Sequence, residues 1–236
     1  MPQSDQRLMT SCAGESARSC WIRAIGVWLL TCLLVGVGGF VLAGNYFQQW
    51  DDHYWAAVGW ELAFVVAFLP VLILVYRLQR RRNEGLAELG WLQQTSTLAV
   101  VLSLLLLGSY LFGMYMGVHY VLKDSLFRFH WVRVALLPAG LLFGIGEEVI
   151  MRGYFMNELK RARVATWLQI FLSAACSAAY HSFTTPMAFV SSFVMFGFLA
   201  GIFVLGRRSL TAPVLFHSLA HILCDPYALQ MALNEM

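Results

Sequence analysis

Residues 164–206 read VATWLQIFLSAACSAAYHSFTTPMAFVSSFVMFGFLAGIFVLG and contain no Asp, Glu, Lys or Arg. A helix needs about 20 apolar residues to cross the hydrocarbon core of a bilayer, so this run is long enough for two crossings. Thr184-Thr185-Pro186 is the predicted break between them, because proline and the residue before it disfavour a continuing helix. The run therefore predicts a pair of neighbouring membrane helices.

The composition of the whole chain agrees with this prediction. The 236 residues are 59% hydrophobic and 12% charged, with a mean hydropathy of +0.66. Soluble domains carry about 25% charged residues. The deficit excludes an ordinary soluble domain, a disordered chain, a coiled coil and a nucleic-acid-binding module. The bilayer is the expected surrounding of a single domain of this length.

Further apolar segments flank the run and supply the other crossings. They are Ala24–Phe47, Trp55–Tyr76, one span within Gly90–Leu122, Val132–Phe155 and Thr211–Tyr227. The predicted fold class is an all-α polytopic membrane bundle of about seven transmembrane helices. The chain divides into a polar segment 1–23, three helices in 24–131, a four-helix core in 132–229 and a tail 230–236. Residues 77–94 are either a short interfacial helix or a simple loop.

The basic residues predict the orientation of the bundle. With the amino terminus in the cytoplasm, the inside segments hold Arg7, Arg18, Arg23, Arg77, Arg80, Arg81, Arg82, Lys160, Arg161, Arg163, Arg207 and Arg208. The outside then holds only Lys123, Arg128 and Arg133. Cytoplasmic loops of membrane proteins are rich in Lys and Arg. We expect a multi-pass cell-membrane protein, in the inner membrane if the source is bacterial. Its first span is a retained signal anchor, since no cleavage motif follows it.

The cysteines and the chain ends suggest no further chemistry. Cys12, Cys20, Cys32, Cys176 and Cys224 lack the spacing of a disulfide framework or a zinc site. They are interpreted as small hydrophobic residues. Pro2 excludes myristoylation, and the carboxyl end lacks a prenylatable cysteine.

Ionisable groups inside a membrane are costly and mark candidate functional sites. The apolar spans contain only Glu61, Glu147, Glu148, Arg152, His181, His217 and His221, with Asp225 near a helix end. Glu61 is interpreted as a packing or folding residue. The other groups fall in three separate spans, and their spacing decides what they can do.

The densest group is Glu147, Glu148 and Arg152. Glu148 and Arg152 are four residues apart and share one face of an α-helix, which predicts an ion pair. Glu147 points about 100° away, so it is expected to be free and poorly solvated, as a general base would be. The alternative is a structural helix end near the interface.

Histidines supply the second half of the predicted site. His217 and His221 share one helical face, with Asp225 a further turn along to fix an imidazole tautomer. His181 follows a stretch of small residues that lets helices approach closely. If these groups meet Glu147, they can bind and activate a water for attack on a peptide carbonyl. A span that starts at Val164 would place His181 near its outer end. Contact with Glu147 therefore requires a later start of this span or a tilted helix.

Residues 147–154, EEVIMRGY, resemble the EExxxR motif of the CAAX-protease and bacteriocin-processing (CPBP, or Abi) intramembrane proteases, which include the type II CAAX prenyl endopeptidases. The family's second motif, an aromatic residue four positions before a histidine, is matched at His181, with Ser177 in the aromatic position. Its third motif, a histidine with an asparagine four residues later, is matched by His217 with His221 in the second position. The similarity covers about 137–224.

The resemblance implies an all-helical membrane peptidase in which Glu147 activates a water beside His181 and His217, supported by Glu148 and Arg152. His221 takes the place of a residue that helps to form an oxyanion hole. We expect no cofactor. Zinc is the alternative, and Glu147, His181, His217 and His221 would then be its ligands. The expected partners are a membrane-associated peptide or protein substrate and the lipid bilayer, with no nucleic acid.

Two other classes of function stay open at this stage. One is a non-catalytic membrane scaffold or immunity-type protein that binds a peptide in the same pocket. The other is a transporter or proton relay that uses Glu61 and the histidines. No inverted repeat supports the latter.

Overall fold

The computed structural model of the chain describes residues 16–47, 49–50, 52–91, 93–127, 131–181, 186–224 and 227. This described part contains helices and their connections but no strand. Its long helices are α1 (Ala17–Phe47), α2 (His53–Arg80), α3 (Thr97–Leu122), α4 (Val132–Arg161), α5 (Thr166–His181), α6 (Pro186–Leu205) and α7 (Thr211–Cys224). The prediction of an all-helical membrane bundle is confirmed.

The helices differ in length. By length and composition, α1, α2, α3 and α4 are each able to cross a membrane. The apolar part of α6, Phe189–Leu205, and the whole of α7 are shorter. Helix α4 covers the fourth predicted span, Val132–Phe155, and continues to Arg161.

The predicted break in the charge-free run, Thr184-Thr185-Pro186, lies mostly outside the described residues. Helix α5 ends at His181 and α6 begins at Pro186, while residues 182–185 lie outside the described part. With 16 residues, α5 is about 24 Å long, shorter than the roughly 30 Å hydrocarbon core. The depth mismatch expected for His181 is absent, because Tyr180, directly before it, donates a hydrogen bond to Glu147 of α4.

Helix α4 is the central helix of the bundle. It packs against both α2 and α7, while α7 also packs on α3, and α5 packs on α6. Gly144 is a point of close approach between α4 and α7. A Cβ atom at this position would lie 2.6 Å from both the backbone nitrogen and Oγ of Ser218. Only glycine fits there, and this close approach sets the faces of α4 and α7 that carry the acids and histidines against each other.

A buried ionic cluster fixes the carboxyl end of α4. The fully buried Glu158 carboxylate accepts hydrogen bonds from Arg23 at 2.9 Å, Arg82 at 3.0 Å and Arg161 at 2.7 Å. Arg161 also binds Glu84 at 2.6 Å. The cluster joins α1 and the segment after α2 to α4, because one desolvated carboxylate is satisfied from three directions.

The sequence left two alternatives for residues 77–94, an interfacial helix and a loop. Their described part combines the end of α2 with a single 3₁₀ turn over Leu86–Leu89. Gly90 has a φ of +96°, and its carbonyl accepts the backbone N–H of Leu210 at 3.1 Å. Asn157 donates to the carbonyl of Glu88 at 2.8 Å. The segment is thus attached to α4 and to the entry of α7.

The four described cysteines form no disulfide. Cys20 and Cys224 are buried, as the sequence predicts, whereas Cys32 and Cys176 are half-buried. Cys12 lies outside the described residues.

Candidate active site

Glu147, Glu148 and Arg152 are all fully buried on α4. Arg152 Nε lies 3.2 Å from Glu148 Oε2, so the ion pair predicted from the i,i+4 spacing is confirmed. The same guanidinium lies 3.9 Å from Glu147 Oε1. The expectation that Glu147 is free was wrong, because one arginine faces both carboxylates.

A change of helix type explains why Arg152 reaches Glu147. Residues Val149–Phe155 form π-helical turns inside α4, starting directly after Glu148. A π-helix bonds residue i to i+5, so it brings Glu147 and Arg152 closer than an α-helix would. The 100° rule used for the sequence prediction does not hold across this segment.

Tyr180 on α5 is a site residue that the sequence analysis missed. Its fully buried hydroxyl donates a hydrogen bond to Glu147 Oε1. A buried phenol needs a hydrogen-bond partner, and the position directly before His181 was the available signal. The contact holds one carboxylate oxygen of Glu147 and ties α5 to α4.

His217 lies between the two carboxylates. Its Nδ1 donates to Glu148 Oε1 at 2.9 Å, and its Nε2 lies 3.6 Å from Glu147 Oε2. The Glu148 carboxylate can only accept because it is paired with Arg152, so Nδ1 carries the proton. This orients Nε2 of His217 toward Glu147.

His181 ends α5 beside Tyr180. Its Nδ1 lies 2.9 Å from the carbonyl of Ser177, which can only accept, so Nδ1 carries a proton. The Ser177 hydroxyl accepts a hydrogen bond from Arg152 at 3.2 Å. Ser177 stands in the position where the resembled family has an aromatic residue. Ser177 therefore links the arginine of α4 to the histidine of α5.

Phe196 on α6 lies in the middle of the cluster and was also missed. Its ring is 5.0 Å from the His181 ring and 5.8 Å from the His217 ring, and Arg152 Cζ lies 4.8 Å from its centroid. Nothing in the uniformly apolar sequence of α6 distinguishes this phenylalanine from its neighbours. The ring therefore contacts both histidines and presents its face to the guanidinium of Arg152.

His221 shares the α7 face of His217, as the spacing predicts, with ring centroids 5.0 Å apart. Its Nδ1 is bonded to Glu61 Oε1 of α2 at 2.9 Å. Asp225, the residue predicted to fix an imidazole tautomer, lies outside the described part. Glu61, interpreted from the sequence as a packing residue, is thus a hydrogen-bond partner of His221.

The geometry brings together the described residues of the predicted site, which are Glu147, Glu148, Arg152, His181, His217 and His221. Helix α4 supplies two carboxylates and an arginine, α5 and α7 supply the histidines, and α2 and α6 complete the surroundings. With neutral imidazoles, Glu147, Glu148 and Arg152 carry one net negative charge. Fold and site together define a helical membrane protein with a buried glutamate–histidine centre.

The family comparison agrees with this description. Residues 128–223 match the Rce1-like family, described as type II CAAX prenyl endopeptidase Rce1-like. The match confirms the resemblance seen in the motifs, all of which lie inside it, and supports a membrane peptidase. Helices α1 to α3, and with them Glu61 of α2, lie outside the matched residues. No curated protein and no solved structure gives a significant match to the chain.

Proposed function

We propose that this protein is an intramembrane endopeptidase that hydrolyses a peptide bond of a membrane-associated substrate with a water activated by Glu147. One observation carries the proposal. Glu147 Oε2 is buried, makes no hydrogen bond within the described residues, and faces His217 Nε2 at 3.6 Å. A water placed to one side of these two atoms can contact both of them. A carboxylate and an imidazole on one water are the groups that general-base hydrolysis uses.

The proposed reaction starts with proton transfer from the water to Glu147 Oε2. The water oxygen bonds to the carbonyl carbon of the scissile peptide bond as the proton leaves. The carbonyl oxygen takes up the negative charge and needs nearby N–H donors. The C–N bond then breaks, and Glu147 passes its proton to the nitrogen of the leaving amine. The carboxylate is thereby restored for the next turnover.

The remaining groups hold this base and its water. Arg152 and Tyr180 orient the Glu147 carboxylate through its Oε1 side. Glu148 fixes the proton of His217 on Nδ1, so Nε2 can accept from the water. In the proposed roles, His181 contacts the reacting groups from α5, and His221 donates to the carbonyl oxygen.

The proposed substrates are peptides or proteins at the membrane surface. The matching family is described as a CAAX prenyl endopeptidase, which supports a lipidated carboxyl end as the first substrate class to test. The distribution of arginines supports a cell-membrane location with the amino-terminal end in the cytoplasm.

Cleavage by the purified full-length chain in proteoliposomes tests the proposal. Three internally quenched peptides serve as probes: a farnesylated CAAX peptide, the same peptide without the prenyl group, and a transmembrane peptide. We expect cleavage of at least one, with products identified by mass spectrometry. Binding without cleavage of all three would instead favour the non-catalytic scaffold, and pH-driven flux would favour the transporter.

Replacing Tyr180 with phenylalanine removes the hydroxyl that holds Glu147. A hydrogen bond to a charged group contributes about 1.5–3 kcal/mol, so we expect kcat to fall roughly 10- to 100-fold with little change in KM. Steady-state kinetics on the cleaved peptide measure this change. Tyr154→Phe is the matched control, because the buried Tyr154 hydroxyl makes no hydrogen bond within the described part of the chain. Equal kcat values for the two variants would contradict the role of Tyr180.

Zinc content tests the choice between a metal-independent and a metal-bound site. Within the described residues, no three His, Cys, Asp or Glu side chains form a group that could hold a metal ion. We therefore propose metal-independent catalysis. Because these side chains are not arranged as zinc ligands, we expect less than about 0.1 zinc per chain in elemental analysis of the purified protein. Stoichiometric zinc that disappears in His221→Asn would overturn this proposal.

A further inference from the structure

An apolar groove of about 920 Å³ lies where α3, α5 and α6 meet. Its walls include Leu105 of α3, Trp167 and Phe171 of α5, and Val194 and Phe198 of α6, all of which are exposed at the surface of the chain. Ligand pockets usually measure about 300–1,000 Å³. The groove therefore has room for an apolar ligand that enters from the hydrocarbon of the bilayer.

The groove has about the length of one lipid leaflet. Along α6 it runs from Phe193 to Leu205, which is about 18 Å of helix. Half of a typical hydrocarbon core is about 15 Å thick. Ser96, directly before α3, donates a hydrogen bond to the carbonyl of Leu205 at 3.0 Å, so the start of α3 and the end of α6 lie together. The groove thus begins at this end of the bundle and reaches toward the middle of the membrane.

Two exposed arginines flank the same end of the groove. Arg163 lies between α4 and α5, and Arg207 follows the end of α6. The start of α5 lies beside the end of α6, because Arg208 donates a hydrogen bond to Gln169. Trp167 and Leu205, which line the groove here, are only four and two residues away from the two exposed arginines. Both positive charges therefore lie near the mouth of the groove.

The helices around the groove do not neutralise these charges. Helices α3, α5 and α6 contain no Asp or Glu. Glu158, the nearest acid before Arg163 in the sequence, is buried and already bound by three other arginines. Among the described residues, neither Arg163 nor Arg207 has an ion-pair partner. An acidic group outside the chain is the complement of this surface.

We infer that the groove binds an acidic phospholipid, with one acyl chain along α6 and the headgroup phosphate at Arg163 and Arg207. Basic pockets between membrane helices bind acidic headgroups, and an acyl chain covers the apolar walls. A second copy of the chain is a poorer occupant, because it would bring the same two arginines to the same end of the groove. The inference does not depend on the proposed peptidase activity.

Native mass spectrometry of the full-length protein, titrated in micelles, tests the choice of headgroup. The probes are phosphatidylglycerol and phosphatidylcholine with identical acyl chains. We expect one phosphatidylglycerol to bind at least about tenfold more tightly than phosphatidylcholine, because two basic residues face its headgroup. Equal affinities for the two lipids would overturn the inference, since an ordinary lipid shell does not distinguish them in this way.

The double variant Arg163→Gln, Arg207→Gln tests the two flanking charges. It should bind phosphatidylglycerol roughly 25-fold more weakly, as expected for the loss of two basic residues beside an acidic headgroup. Arg77→Gln, Arg81→Gln is the matched control. It removes two exposed arginines from the end of α2, which lies at the same end of the bundle because Arg82 binds Glu158. The inference fails if both double variants bind phosphatidylglycerol equally well.

Gly201→Phe tests the acyl-chain part of the groove. Gly201 lines the groove, and a Cβ atom there would have no neighbour within 4 Å, so the new ring occupies the open space. Affinity for phosphatidylglycerol should fall at least about tenfold, because the acyl chain loses most of its buried surface. Gly26→Phe is the control on α1, at an exposed glycine that is equally free of neighbours and lies outside the groove.

Three results would assign the groove differently and overturn the inference. The first is an unchanged affinity for phosphatidylglycerol in Gly201→Phe. The second is a wild-type dimer that Gly201→Phe separates, which would make the groove an interface between two copies. The third is displacement of the bound lipid by a farnesylated peptide, which would make the groove a site for the prenyl chain of a substrate.

Discussion

Replacing Glu147 with glutamine is expected to lower kcat about 10³-fold, because a general base contributes roughly 10²–10⁴ to the rate. The glutamine amide oxygen can still accept the hydrogen bond from Tyr180, so the local geometry is retained. The variant also removes the excess negative charge of the buried cluster, so the protein should stay folded. Initial rates of peptide cleavage in proteoliposomes measure the loss, and elution from a sizing column in detergent reports folding.

Glu88→Gln is the control for this experiment. Glu88 is half-buried on the 3₁₀ turn, and the one described hydrogen bond of its side chain is accepted from the backbone N–H of Gly85. Its kcat should be that of the wild type. Retained cleavage in Glu147→Gln would rule out the proposed mechanism. A normal cellular phenotype for the same variant, together with no cleavage by the wild type, would favour the scaffold.

Replacing Arg152 with methionine is expected to lower the free energy of unfolding by about 3–5 kcal/mol, the usual result of removing one partner from a buried ion pair. Arg152 is fully buried and faces Glu147 at 3.9 Å and Glu148 at 3.2 Å. Methionine fills the space but leaves two desolvated carboxylates without the guanidinium that faces both of them. Denaturant unfolding in micelles measures the change. Arg77→Met, on the exposed end of α2, should change stability by less than about 0.5 kcal/mol.

A compensating variant separates charge from packing. The double variant Glu148→Gln, Arg152→Met carries the same net charge in the cluster as the wild type. It should therefore recover about half of the stability lost in Arg152→Met, because only one desolvated carboxylate is left. If the double variant is no more stable than Arg152→Met, the guanidinium acts through its packing on Phe196, and not through its charge.

Local spacing predicted several contacts of the site correctly. The ion pair of Glu148 and Arg152 follows from four-residue spacing on one helix, and the contact between the rings of His217 and His221 follows from the same rule. Such contacts depend only on the backbone geometry of a single helix, which the sequence pattern predicts well. The break between α5 and α6 followed from a proline in a similar way.

The contacts that the sequence analysis missed join different helices or depend on a departure from α-geometry. The hydrogen bond of Tyr180 to Glu147 links α5 to α4, and the bond of Glu61 to His221 links α2 to α7. Phe196 is one phenylalanine among many in an apolar helix. The approach of Arg152 to Glu147 requires π-helical turns, for which the sequence carries no distinct signal.

The sequence by itself determined that this protein is a helical membrane bundle and which few ionisable groups it buries. Hydrophobic length and the scarcity of charge are properties that each segment carries independently of the others. Only the tertiary structure decided that Glu147 is held by Tyr180 and that His221 is paired with Glu61. Those pairings depend on how deep each helix sits and where helices approach, as at Gly144 and Ser218. Helix packing, which is a property of pairs of segments, sets both.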